Sequence, residues 1–252
     1  ISKDRFKYFW QKRLNNLFMD SKEQLQDAYK EIRAGNFQKA EALYKDILKI
    51  SSNNFEANLN LGTIYARQSK FNEAVKYLEV AISQNSQVPQ IYNNLGLIYT
   101  HLDKNEKAIE VLNKVIKLKS ATSVTYCHLA IAFTNLSRVI EAKESYKKSL
   151  ELDPKNVLSL YNYGTLFKRL NDPENAEKYL SNAISVSPNN FPPYNNLMEI
   201  YDKSNQNEKL KKLIHDAKNV FNNNSSIDLF EAKLLFKLKE YEKVIEILEK
   251  IS

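Results

Sequence analysis

Leu61-Gly62-Thr63-Ile64-Tyr65, followed at a short interval by Phe71-Asn72-Glu73-Ala74-Val75-Lys76-Tyr77-Leu78, is the stretch on which the reading turns. The same arrangement returns as Leu95-Gly96…Tyr99…Ala108…Leu112 and as Tyr163-Gly164…Phe167…Ala176…Leu180, always at multiples of 34 residues. A fixed period of this size marks an array of stacked supersecondary units.

Working outward, alanine recurs at Ala40, Ala74, Ala108, Ala142 and Ala176, and the next two steps reach Leu210 and Val244. A second, mostly small column precedes it by twelve residues: Ala28, Gly62, Gly96, Ala130, Gly164, Met198 and Ala232. Large residues follow the first column at a distance of four: Tyr44, Leu78, Leu112, Tyr146, Leu180, Ile214 and Leu248. Each unit supports two helices. In the second, Leu59, Leu61, Ile64 and Tyr65 recur at helical spacing, Ser69-Lys70 marks a turn, and Phe71, Ala74, Val75, Leu78, Ala81 and Ile82 form the next apolar stripe. One such pair cannot cover its own apolar face, so successive pairs stack into an all-α solenoid, with small residues where helices approach closely.

Composition agrees. Of 252 residues, 43% are hydrophobic and 27% charged, which excludes disorder and collagen. Four glycines and six prolines leave almost nothing for hairpins, which excludes an all-β fold. No stretch approaches the ~20 apolar residues of a membrane span, and the opening ISKDRFKYFWQKR lacks the apolar core of a secretory signal. The lone Cys127 allows neither an internal disulfide nor a multi-thiolate zinc site. The chain therefore reads as soluble and cytoplasmic. A net charge of +7 arises from 37 basic and 30 acidic residues that are interspersed. The chain opens on Ile1 and stops at Ser252 within its last element, so it is expected to be part of something longer.

The quoted columns resemble tetratricopeptide repeats over residues 21–252, in seven units: 21–54, 55–88, 89–122, 123–156, 157–190, 191–224 and 225–252. The resemblance implies a right-handed superhelix of helix-turn-helix repeats whose concave groove binds protein segments. Tyr92, Tyr126 and Tyr194 supply the usual aromatic near the start of a unit, replaced by Asn58 and Leu160 elsewhere; Met198, Leu210, Asp228 and Val244 depart from the pattern in the last two units. Residues 1–20 form an amphipathic segment with Phe6, Phe9, Trp10, Leu14, Leu17 and Phe18 on one face and basic residues elsewhere. It is expected to cap the array; docking to a partner or a membrane surface is the alternative.

No constellation for catalysis is expected. Gly62, Gly96 and Gly164 are absorbed by the packing column and Gly35 by a turn, leaving none for a phosphate loop. Cys127 and His128 are sequence neighbours on one helix, where adjacent side chains diverge by ~100°. No cofactor and no metal site is read. The sixth residue of each unit, however, gives Gln26, Asn60, Asn94, His128, Asn162, Asn196 and Phe230. A primary amide offers both a donor and an acceptor, so Asn60, Asn94, Asn162 and Asn196, with His128, could grip the main chain of an extended peptide. They resemble the asparagine ladder of O-linked N-acetylglucosamine transferases; the alternative is that they bond only within the scaffold. The thirteenth residue gives Arg33, Arg67, His101, Asn135, Arg169, Lys203 and Lys237. Arg67, His101, Arg169 and Lys203 are either helix C-terminal charges that complement the macrodipole or a strip steering an acidic segment. The family's carboxylate clamp needs Lys at the fifth residue, where Leu25, Leu59, Asn93, Cys127, Tyr161, Asn195 and Leu229 stand, so that mode is excluded.

The leading function is a non-catalytic scaffold that binds a protein or peptide segment, acidic or extended, in the groove, with no small-molecule substrate. RNA binding is disfavoured because no repeated aromatic or arginine plane is available for base stacking. The alternative is a substrate-recruiting arm of a larger sulfotransferase or glycosyltransferase: Ala34-Gly35 with Ala40 to Leu48, and Leu234 to Ile251, are similar to stretches of such bacterial enzymes.

Overall fold

The structure is a computed structural model that describes residues 22–251. The segment 1–20, expected as a cap, lies outside the described residues. Among the described residues there are fourteen helices and no strand. Helix α1 covers 22–33; α2 (Phe37–Ile50), α3 (Phe55–Arg67), α4 (Phe71–Gln84), α5 (Pro89–His101) and α6 (Asn105–Lys117) complete a first compact unit, Ile1–Ala121. A second unit, Thr122–Ser252, holds α7 (Ser123–Asn135), α8 (Val139–Leu152), α9 (Val157–Arg169), α10 (Pro173–Val186), α11 (Phe191–Lys203), α12 (Asn207–Val220), α13 (Ser225–Lys237) and α14 (Tyr241–Ile251).

Local chemistry sets these boundaries. The turn between the two helices of every pair places one residue in the left-handed region: Gly35, Ser69, Asp103, Ser137, Asn171, Asn205 and Lys239, with φ from 53° to 77°. The next amide then reaches back to the last turn of the first helix, as in Lys70 N–H to Tyr65 C=O (2.9 Å) and Arg138 N–H to Phe133 C=O (2.9 Å). This Schellman closure satisfies carbonyls that would otherwise be orphaned. Helices α3, α9 and α7 start on side-chain caps: Asn54 Oδ1 accepts from Ala57 N–H (2.9 Å), Asn156 Oδ1 from Ser159 N–H (2.9 Å), and Thr122 forms a capping box with Thr125. Pro89 and Pro173 occupy first-turn positions, where a missing N–H costs nothing.

Packing follows the two columns. Ala40, Ala74, Ala108, Ala142 and Ala176 are fully buried. Gly62, Gly96 and Gly164 each face the leucine of the second helix in their own pair, Leu78, Leu112 and Leu180. In the first unit α3 packs on α2, α4 and α5; in the second, α9 packs on α7, α8, α10 and α11, and α13 on α11, α12 and α14. First helices thus touch their neighbours along a row within each unit, and second helices pack onto that row. Buried polarity is concentrated where α7, α8 and α9 meet: Ser149 Oγ donates to Ser123 C=O (2.8 Å) and lies 2.6 Å from Ser159 Oγ, while Asn156 Nδ2 donates to Ser123 Oγ (2.8 Å). These groups satisfy one another inside the scaffold.

Candidate functional site

Hydrogen bonds between successive first helices fix which side chains lie side by side. In the first unit Asn60 Nδ2 donates to Tyr29 Oη (3.3 Å) and Asn94 Nδ2 to Thr63 Oγ1 (3.4 Å); in the second, Asn196 Nδ2 donates to Thr165 Oγ1 (3.0 Å). The sixth residue of one first helix therefore faces the ninth of the helix before it. Similarly, Ser226 Oγ donates to Asn195 Oδ1 (3.1 Å), which sets the second residue of one helix beside the fifth of its predecessor.

The asparagines are anchored by their donors. Asn60 Nδ2 also gives a bond to Glu56 C=O (2.8 Å), and Asn162 Nδ2 gives one to Leu158 C=O (2.8 Å). A carbonyl only accepts, and Thr63 Oγ1 accepts from Asn94 because its own hydrogen goes to Leu59 C=O (2.8 Å), so each amide turns its NH2 inward and its oxygen outward. Asn60, Asn94 and Asn162, all half-buried, present an Oδ1 that has no partner among the described residues. Asn196 is different. It is 8% exposed, and its Oδ1 accepts from Lys168 Nζ (2.7 Å), which also pairs with Glu199 (2.7 Å). His128 is 6% exposed. The six-position column is thus split: three outward acceptors, and two members taken into the scaffold.

The thirteenth residues lie in the last turns of their helices, where a cation complements the macrodipole. The Arg67 guanidinium sits 5.5 Å from the centroid of the Phe37 ring, and His101 stacks on Phe71 with centroids 4.8 Å apart. Each of these pairs ties a first helix to the second helix of the preceding pair. Arg169 and Lys203 are exposed and enter no ion pair among the described residues.

A further column was not read from sequence. The second residues of the first helices in the second unit are Val124, Leu158 and Pro192, of which Val124 is 47% and Leu158 45% exposed. In the first unit the equivalent residues are Lys22, Glu56 and Gln90. The 34-residue alignment of the chain with itself contained this contrast as a switch from polar to apolar.

Cys127 is fully buried, and burial pushes its thiol up to about 11, which makes it a poor nucleophile at neutral pH. Among the described residues no group of three or more His, Cys, Asp or Glu could hold a metal ion, and no helix is long and apolar enough to cross a membrane.

Tetratricopeptide repeat family profiles match residues 31–79, 89–122, 124–156 and 145–178, together more than half of the chain. No curated protein sequence matches. Among solved structures, a tetratricopeptide repeat protein from Parabacteroides merdae is 21% identical with a TM-score of 0.69, covering 92% of each chain. PilW, a type IV pilus biogenesis factor, is 16% identical with a TM-score of 0.73, covering 83% of this chain and 97% of its own. YrrB, described as a tetratricopeptide repeat protein with an unusual peptide-binding site, is 12% identical with a TM-score of 0.54 over 73% of this chain and 95% of its own. At these identities the likeness concerns the fold. The unbroken 34-residue period, the helix pairs closed by a left-handed turn residue and the matching profiles place the chain in the tetratricopeptide repeat family.

Proposed function

We propose that the chain is a non-catalytic interaction scaffold that holds an extended segment of a protein partner across the exposed faces of its first helices. The observation that carries this reading is the outward Oδ1 of Asn60 and Asn94, at equivalent positions one repeat apart, each held by a donor bond to the scaffold. Acceptors fixed at a regular interval suit the N–H groups of a main chain and are indifferent to its side chains. The amides contribute acceptors rather than donor-acceptor pairs, so each adds one bond to the partner, worth ~0.5–1.5 kcal/mol net. Affinity is then modest for each repeat and grows with the number of repeats engaged. Within the second unit, exposed Arg169 and Lys203 favour an acidic segment.

Selection of random 16-residue peptides displayed on phage against the full chain tests the reading. Enriched peptides are expected to lose binding to an Asn60→Ala/Asn94→Ala variant of unchanged melting temperature. Peptides that bind this variant as well as the parent would remove the amides from the site.

A further inference from the structure

The exposed face of the second unit carries three bands: an apolar one that runs from α7 through α9 to α11, an amide one centred on α9, and a basic one on α9 and α11. Val124, Leu158 and Pro192 form an apolar band near the helix N-termini, and Tyr161 extends it because the second residue of each first helix sits beside the fifth of the preceding one. The amide band follows, with the outward Oδ1 of Asn162 at its centre. Arg169 and Lys203 form a basic band at the helix C-termini. The apolar band ends at α13, where Ser226 bonds Asn195. The first unit has no such band, since Lys22, Glu56 and Gln90 stand at the equivalent positions.

The spacing of the bands decides what fits them. Helices packed side by side lie ~8–10 Å apart, so the apolar residues recur at about that interval. Two residues of a β-strand advance only ~6.8 Å, and three would turn the side chain to the other face. Three residues of polyproline II advance ~9.3 Å and return the side chain to the same edge, with main-chain N–H groups unpaired. We infer that the second unit binds a polyproline II segment of a partner protein bearing an apolar side chain at every third residue and acidic side chains between them. The apolar residues lie along Val124, Leu158 and Pro192, a main-chain N–H reaches Asn162 Oδ1, and the acidic residues face Arg169 and Lys203. This rests on the groove-binding reading above and adds the register, the conformation and the charge of the occupant.

Three fluorescein-labelled twelve-residue peptides test it by anisotropy against the full chain: one with Leu at every third position separated by Glu-Pro, one of identical composition with Leu at alternate positions, and one with Lys replacing Glu. The first is expected to bind about tenfold more tightly than either other, and Leu158→Asp, at an exposed position, to abolish that preference without lowering the melting temperature. Equal binding of the two Leu spacings, insensitivity to Leu158→Asp, or no binding of any peptide overturns the inference. The groove reading fails separately, when phage-selected peptides ignore Asn60→Ala/Asn94→Ala.

Discussion

Leu180 closes over Gly164 so tightly that a Cβ on the glycine would lie 2.7 Å from Leu180 Cγ. The same relation joins Gly62 to Leu78 at 2.7 Å and Gly96 to Leu112 at 2.5 Å. Where the column holds Ala28 or Ala130, Tyr44 or Tyr146 stands at the position of that leucine in the repeat, and both tyrosines are buried. Gly96→Ala and Gly164→Ala are each expected to destabilise the chain by ~1–3 kcal/mol through overpacking. Truncating the facing leucine in the same molecule should recover part of that loss as a coupling between neighbours. Denaturant melts of the single and double variants check both statements.

Ala108 and Ala142 are fully buried in the second helices of their pairs. Their replacement by leucine should cost ~1–3 kcal/mol by the same overpacking. Thermal melting reads the effect, and an unchanged midpoint for both would show that the alanine column is not the packing seam.

Lys239 and Ser137 hold φ of 63° and 58° at turns where Gly35 does the same without a Cβ. The left-handed conformation costs a non-glycine residue ~1–2 kcal/mol, and glycine returns part of this as chain entropy. Lys239→Gly and Ser137→Gly are therefore expected to stabilise the fold by ~0.5–1 kcal/mol. Asn205→Gly should gain less because asparagine tolerates this region. Chemical denaturation at neutral pH gives the differences directly.

The Cys127 thiol is held by burial at about 11, above its usual 9.0. The folded chain thus binds this proton more tightly than the unfolded chain, so the associated stability is fully present below pH 9.0 and is lost as pH rises toward about 11. Burial also raises Tyr163, to about 12, so the parent and a Cys127→Ala variant both weaken in alkali. Their difference in slope across this window isolates the thiol. In native buffer a disulfide-exchange reagent is expected to label Cys127 only as fast as α7 opens, and prompt labelling would contradict its burial.

Arg169→Gln with Lys203→Gln should weaken capture of an acidic peptide at low salt and have little effect above ~0.5 M, where screening acts within a few ångströms. Asn60→Ala with Asn94→Ala should weaken capture of a peptide held by the first unit similarly at both salt concentrations, because a main-chain hydrogen bond is short-ranged. Peptide titrations of the two double variants at two ionic strengths separate charge steering from main-chain gripping.

Much of the fold was legible in the chain because its determinants are local and recur. The turns at Ser69-Lys70 and Asp103-Lys104, the prolines at helix starts and the Gly and Ala columns all appear in sequence at the positions they occupy in space. The candidate site was legible only in outline. Asn60, Asn94, Asn162 and Asn196 look alike in a repeat alignment, yet Asn196 is drawn inward by Lys168 and Glu199 while the others keep an outward acceptor.

The sequence by itself determined that the chain is a series of helix pairs, where each pair turns, and which side chains must be small, since a 34-residue period and backbone preferences act within each pair. The tertiary structure decided that Asn94 and Asn196 turn toward Thr63 and Thr165, that Arg67 lies on Phe37, and that Val124 and Leu158 stand exposed on one face. The bonds of Asn94 and Asn196 to Thr63 and Thr165 and the contact of Arg67 with Phe37 depend on partners about 30 residues away in sequence, brought within hydrogen-bonding or van der Waals distance only when successive pairs pack together. One pair's sequence does not contain its neighbour's side chains, so the packed row alone determines which groups remain free for a partner.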